Sequence, residues 1–161
     1  MKTNAGFTLV EVLIATLVLA VGLLGLAALQ ATSLGNNQGA YNRSQATQLA
    51  YDIADRMRAN YYNPNNPSVS AISAAVLAKY TSDPKLAVAK VACLGTAGCS
   101  PVNMAENDLF EWNLALTRSL PNGFGSITRA GAIYTVTISW DDNRDGNVDN
   151  NDPSFQTSFQ L

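Results

Sequence analysis

The sequence contains no histidine. Nucleophilic triads that rely on an imidazole base, and metal shells that rely on imidazole ligands, are therefore excluded. The patterns G-x-x-x-x-G-K-[ST], G-x-G-x-x-G and G-x-S-x-G are also missing, so there is neither a phosphate cradle nor a strained serine elbow. Charge is scarce. Only 14% of residues are charged and the net charge is -2, with no basic run to follow a phosphate backbone, which argues against a nucleic-acid partner. No proline occurs before Pro64, and the only cysteines are Cys93 and Cys99. These absences leave enzymatic function without a candidate centre.

What the sequence has in excess is apolar side chains, 47% of its 161 residues, concentrated in GFTLVEVLIATLVLAVGLLGLAALQ, Gly6 to Gln30. Between Val12 and Leu29 only Thr16 can form side-chain hydrogen bonds, and with Phe7 to Val10 the run reaches the roughly 20 residues a helix needs to cross a bilayer. Lys2 is the only cation before Arg43, which places the short leader in the cytoplasm and the rest outside. A removable signal peptide would have an apolar core of roughly 7 to 15 residues; this one is longer, although Gly25-Leu26-Ala27 satisfies a lax cleavage pattern. An ordinary single-span anchor has no use for Glu11. A buried soluble helix would need a larger core than the remaining chain can build.

Glu11 separates these accounts. An acid at the centre of a membrane helix costs about 2.5 to 3.5 kcal/mol on insertion scales. Snorkelling to the headgroups explains how it is tolerated, not what it is for. A cut between Gly6 and Phe7 would create an α-amino group one turn ahead of Glu11, and with a pKa of about 8 that amine is largely cationic at neutral pH.

GFTLVE after a short leader ending in Gly6 resembles the class III signal of type IV pilins and of type II secretion pseudopilins. The resemblance implies cleavage between Gly6 and Phe7 by a prepilin peptidase, then N-methylation of Phe7 by the same peptidase/methyltransferase. It also implies that Glu11 attracts the terminal amine of a neighbouring subunit and so sets register in a filament. RSQATQLAYDIADRMRAN (Arg43 to Asn60), LPNGFGSI (Leu120 to Ile127) and YTVTISWDD (Tyr134 to Asp142) resemble the PilV-type minor pilins, the type IV pilus modification proteins. That resemblance implies other minor pilins, the major pilin and a tip adhesin as partners. It implies residence in the inner membrane with a periplasmic head, followed by export in an extracellular pilus. One departure stands out: major pilins often have a proline in the anchor helix, whereas here only Gly22 and Gly25 weaken that half.

The periodicity predicts an α+β architecture. A cleaved leader (1–6) precedes a transmembrane or filament-core helix half (7–30), an amphipathic half (31–60) and a globular head (61–161). Leu49, Ile53 and Met57 repeat at helical spacing and Ala46, Ala50 and Ala54 widen their stripe, while Gly35 and Gly39 favour a bend. Asp52 and Arg56 have the acid-first i,i+4 order of an exposed flank. NYYNPNNPS, Asn60 to Ser68, ends the helix, and Ala71 to Ala92 reads as a short helix and irregular connection. Ser100-Pro101 then opens a second helix, with Leu109, Trp112, Leu116 and Leu120 on one face and Pro121-Asn122-Gly123 as its stop. Alternation in Ala132 to Trp140 and again from Phe155 to Leu161 predicts strands, with Gly125 to Arg129 as a third, giving a small antiparallel sheet against the long helix.

Outside the cytoplasm Cys93 and Cys99, separated by Leu-Gly-Thr-Ala-Gly, read as a structural disulfide, the alternative being two unpaired thiols. A zinc site is excluded because two cysteines leave its shell incomplete. The acidic segment DDNRDGNVDNND has two readings. Asp141, Asn143, Asp145, Asn147, Asp149 and Asp152, with Gly146, follow the early part of a calcium loop, but Asp152 stands where a longer Glu usually closes the shell and the flanks are strands. The other reading is a solvated hairpin loop whose acids discourage edge-to-edge pairing.

The favoured function is thus a structural minor pilin that takes part in priming pilus assembly or in the tip complex. The alternatives are a type II secretion pseudopilin, or a membrane-anchored or secreted calcium-binding module outside any filament.

Overall fold

Thr8 opens the first helix: its hydroxyl oxygen accepts the backbone N–H of Glu11 at 3.3 Å, the arrangement of an N-cap. Helix α1 then spans Leu9–Tyr61, staying helical through Gly35 and Gly39. The computed structural model describes residues 8–61, 74–96 and 98–161. The chain divides into two units, Met1–Ala40 and Tyr41–Leu161.

In the first unit the described residues after Thr8 are all α1. Large apolar side chains are exposed on every side, among them Leu9, Ile14, Leu17, Val21 and Leu24. An 18-residue window of this helix has a mean hydropathy of 2.7 and none of it is buried, which a soluble core helix would not leave open. The apolar run is long enough to cross a membrane.

In the second unit the rest of α1 supplies one wall of a core. Asn42, Ala46, Ala50, Ile53, Ala54 and Met57 are its buried positions, so the alanines make the closest approach and Leu49 flanks them, only partly buried. The stretch of α1 from Tyr41 to Tyr61 belongs to the same compact unit as the sheet. Helix α2, Ala74–Tyr80, is followed by single 3₁₀ turns at Pro84–Leu86 and Val91–Leu94. Helix α3, Pro101–Ser119, starts where Ser100 accepts the Asn103 N–H and proline occupies the first turn, as expected from its sequence.

Strands β1 (Phe124–Ala130), β2 (Ile133–Ser139) and β3 (Ser154–Gln160) form a sheet of order β1-β2-β3. Both pairings are antiparallel, with Ala130 opposite Ile133 and Ile133 opposite Gln160. The β1–β2 connection has two residues and a positive φ of 62° at Gly131; a left-handed first position is what a tight II′ hairpin requires. Tyr134, Val136 and Ile138 point into the core with Ile127, Trp140, Leu109, Trp112 and Leu116. Fully burying one such aliphatic side chain contributes about 1.5 to 3 kcal/mol, a sizeable part of the roughly 5 to 15 kcal/mol that keeps a domain folded. The result is an α+β fold, a long N-terminal helix with a small antiparallel sheet.

Candidate assembly site

Glu11 is the acidic residue of the first turn of α1 and is exposed. It shares a shallow apolar groove with Val12, Ala15, Thr16 and Leu19. A carboxylate here meets the positive end of the helix dipole. Its N–H is held by Thr8, and Thr8-x-x-Glu11 has the spacing of a capping box, a signal that a search for lipid-compatible side chains passes over. Gly6 and Phe7 lie outside the described residues.

The motifs of the head turn out to grip one another. Asp141 is buried, at 2% exposure. Its carboxylate accepts Asn122 Nδ2 at 3.1 Å and the N–H groups of Asp145 and Gly146 at 3.2 and 2.9 Å, while its own N–H donates to Pro121 O at 2.9 Å. Asp142 Oδ1 accepts Trp140 Nε1 and Asn42 Nδ2, each at 3.2 Å. The Leu120–Ile127 and Tyr134–Asp142 segments are thus joined to each other and to α1 by charge-assisted bonds.

The other acids of this loop close their own turns. Asn143 Oδ1 accepts the Asp145 N–H at 2.9 Å, Asp145 Oδ1 accepts the Asn147 N–H at 2.9 Å, and Asp149 Oδ1 accepts the Asn151 N–H at 2.7 Å. Asp152 bridges the Asp142 and Asp149 N–H groups at 3.0 and 2.9 Å. The bonds accepted by Asn143, Asp145 and Asp149, each from the N–H two residues on, are those of Asx turns, whereas Asp152 ties separate parts of the loop together. Among the described residues no three histidine, cysteine or acidic side chains gather as a metal-binding group. Cys93 and Cys99 are joined, with Cα atoms 4.8 Å apart, and clip the loop ahead of α3.

A second polar cluster ties α1 to α3. Arg56 pairs with Asp52 at 2.9 Å as its spacing predicts, but it also reaches Glu111 at 2.7 Å and Asp108 at 3.4 Å. Tyr80 donates to Asp108 at 2.6 Å, and Asn60 Nδ2 donates to Tyr80 Oη and Pro101 O at 3.0 and 2.9 Å. Burial, then the neighbouring carboxylate, pushes the Tyr80 phenol above its usual range. Burial also holds the Asp108 carboxyl above its usual range against the opposing pull of Tyr80 and Arg56, whereas Arg56 holds Glu111 below it.

An acid with a raised folded pKa binds its proton more tightly in the folded state. Its share of stability is complete below the unfolded pKa and is lost as pH rises through the folded value. A lowered acid, such as Glu111, contributes above its unfolded pKa and loses that as pH falls through the folded one. The head is therefore expected to hold or gain stability on mild acidification and to weaken only below about pH 4, where the glutamates protonate. Asp108→Asn should remove the mild-acid gain. Thermal melts of both proteins across this range check it, and identical pH profiles would refute the assignment to Asp108.

Comparison with known families decides what the geometry serves. The family described as Tt1218-like, type IV pilin Tt1218, matches residues 28–110, just over half of the chain. The chain belongs to the type IV pilins. The prokaryotic N-terminal methylation motif matches residues 1–27, so the two matches meet within the apolar run of this pilin. No curated protein and no solved structure matches the chain. As a type IV pilin it is a structural protein and not an enzyme. Its methylation motif makes it a prepilin peptidase substrate that assembles with other pilins, anchored in a membrane before it enters the pilus.

Proposed function

We propose that this pilin is a minor subunit of the PilV type, which helps to prime pilus assembly or occupies the tip complex. The reading is carried by the interlocked Leu120–Ile127 and Tyr134–Asp142 motifs: Asn122, Pro121 and Asp141 bond to one another, so the segments that resemble PilV-type proteins form one structural unit. Prepilin peptidase cuts between Gly6 and Phe7, and Phe7 is then N-methylated. Residues 7–30 cross the inner membrane with the leader in the cytoplasm and the head in the periplasm, and later form part of the filament core. There Glu11 pairs with the amine of an adjacent pilin. Other minor pilins, the major pilin and a tip adhesin are the partners, and the Cys93–Cys99 bond keeps the head's loop closed after export.

Sheared pili provide the test. The mature protein is expected in the pilus fraction at far lower abundance than the major pilin, with an intact mass that begins at methylated Phe7. Deleting its gene should reduce surface pili while major pilin persists in the membrane. Abundance equal to the major pilin, or absence from pili with normal piliation in the deletion, would overturn the minor-pilin assignment.

A further inference from the structure

The stretch that carries the two 3₁₀ turns is turned inside out. From Leu86 to Leu94 every exposed residue is apolar: Leu86, Val88, Ala89, Val91, Ala92 and Leu94. Leu86, Val88, Val91 and Leu94 are 78%, 51%, 77% and 73% exposed, and elsewhere in the head, among the described residues, only Tyr41, Tyr51 and Ile133 are large apolar side chains left open. The one charged residue of the stretch faces the other way. Lys90 Nζ pairs with Glu106 on α3 at 3.2 Å and the Lys90 N–H donates to Asn107 Oδ1 at 2.9 Å, so the polar groups are engaged with the head while the apolar ones are shown to water. Exposed hydrophobic residues scattered singly need no explanation, whereas a run of them marks an interaction surface.

This strip runs lengthwise on the head. At its start Lys85 Nζ lies 5.0 Å from the centre of the Phe124 ring; Phe124 pairs with Ser139, just ahead of Asp142, which bonds Asn42 of α1. At its far end the Cys93–Cys99 bond leads into Ser100 and Pro101, and Pro101 O accepts Asn60 Nδ2 near the end of α1 at 2.9 Å. The apolar side chains therefore climb from the level of Asn42 toward that of Asn60, along this part of α1 and not across it. A neighbour whose helix points the same way can lie against the whole strip.

We infer that the Leu86–Leu94 strip is the surface by which this head docks on the head of an adjacent pilin in the fibre. Two observations select that partner. The chain is anchored in a membrane and then assembles with other pilins, and subunits drawn from one membrane enter with their helices co-directional, the arrangement a lengthwise strip serves. The strip also offers no counter-charge, because Lys90 is held by Glu106, so the surface facing it is uncharged and apolar; a polyanion or a bilayer surface would be met by outward lysines or arginines. Leu94 lies within the loop that the disulfide closes, which restrains it at the strip's end. The inference rests on membership of the pilins and not on the minor-pilin reading, which abundance in sheared pili tests separately.

The test uses the full chain in its piliated host, with the photoreactive residue p-benzoylphenylalanine at Val91 or Leu94; both side chains are exposed, so folding is spared. Irradiation should give a product whose mass is that of this chain plus one pilin. Val91→Asp/Leu94→Asp should lower the amount of this chain in sheared pili at least tenfold, with its amount in membranes, its leader removal and its melting in detergent unchanged, whereas Val91→Ile/Leu94→Met should be incorporated as the wild type is. If the aspartates unfold the head, the cross-link decides alone. Cross-linking only to lipid or to a protein that is not a pilin, no product at all, or wild-type incorporation of the aspartate variant would overturn the proposal.

Discussion

Replacing Glu11 with alanine is expected to leave membrane insertion unchanged or improved while depleting the protein from pili by about a hundredfold. Removal of the acid takes away an insertion penalty of at most about 2.5 to 3.5 kcal/mol, the cost at a helix centre, so the membrane pool should not shrink. In a packed apolar bundle, however, the amine that Glu11 would meet is left without a counter-charge, and breaking one side of a buried pair costs about 3 to 5 kcal/mol. Since each 1.4 kcal/mol is tenfold in an equilibrium, even the lower figure reduces incorporation by about two orders of magnitude. Glu11→Gln should behave like alanine because it too has no charge. Quantitative immunoblots of sheared pili and of membranes, with leader removal followed by intact mass, separate this effect from failed processing. Wild-type incorporation of the alanine variant would eliminate the pairing role.

The second large effect is expected at Gly125, on β1. A Cβ built there would run into the Trp112 ring, 2.8 Å from both Cζ2 and Cζ3 and nearer still to Cη2. Trp112 cannot retreat easily: it is fully buried and its indole Nε1 donates to Leu49 O at 2.9 Å. Overpacking a core typically costs about 1 to 3 kcal/mol, and with Trp112 fixed in this way Gly125→Val should lie at or above the upper end. That corresponds to a fall in melting temperature of roughly 10 °C for the head. The companion variant Trp112→Leu should lose stability alone but tolerate Gly125→Ala nearly without further loss, a coupling visible in a double-mutant cycle. If Gly125→Ala melts with the wild type, the close approach of β1 to α3 is not what fixes glycine here.

Periodicity carried most of this fold. The alternation of Tyr134, Val136 and Ile138 and the helical spacing of Leu109, Trp112 and Leu116 each have one dominant period, so the buried faces could be assigned directly. Strand Phe124–Ala130 was legible mainly through its neighbours, because Gly125 has no side chain to mark a face. Cross-element polar contacts were not legible. Asp52 and Arg56 announced a local pair by spacing, but nothing local connects Arg56 to Glu111, which is 55 residues away, or Tyr80 to Asp108. The acidic loop is ambiguous for a different reason: the same Asp and Asn spacing suits calcium ligands and Asx turns alike. At the candidate assembly site Glu11 was visible because it is the only acid among lipid-like neighbours. Thr8 was not, since a threonine ahead of a hydrophobic run carries no distinction until its bond to the Glu11 N–H is seen.

The participation of α1 in the head has a consequence for biosynthesis. The ribosome delivers Ala46, Ile53 and Met57 early, but their partners on α3 and β2 emerge much later; the Trp112–Leu49 and Asn42–Asp142 bonds close over 63 and 100 residues. Contacts between positions so far apart form slowly, and until they do an oily stripe stands open to capture by other nascent chains. Emergence of the carboxyl-terminal strands is thus the event that shields it.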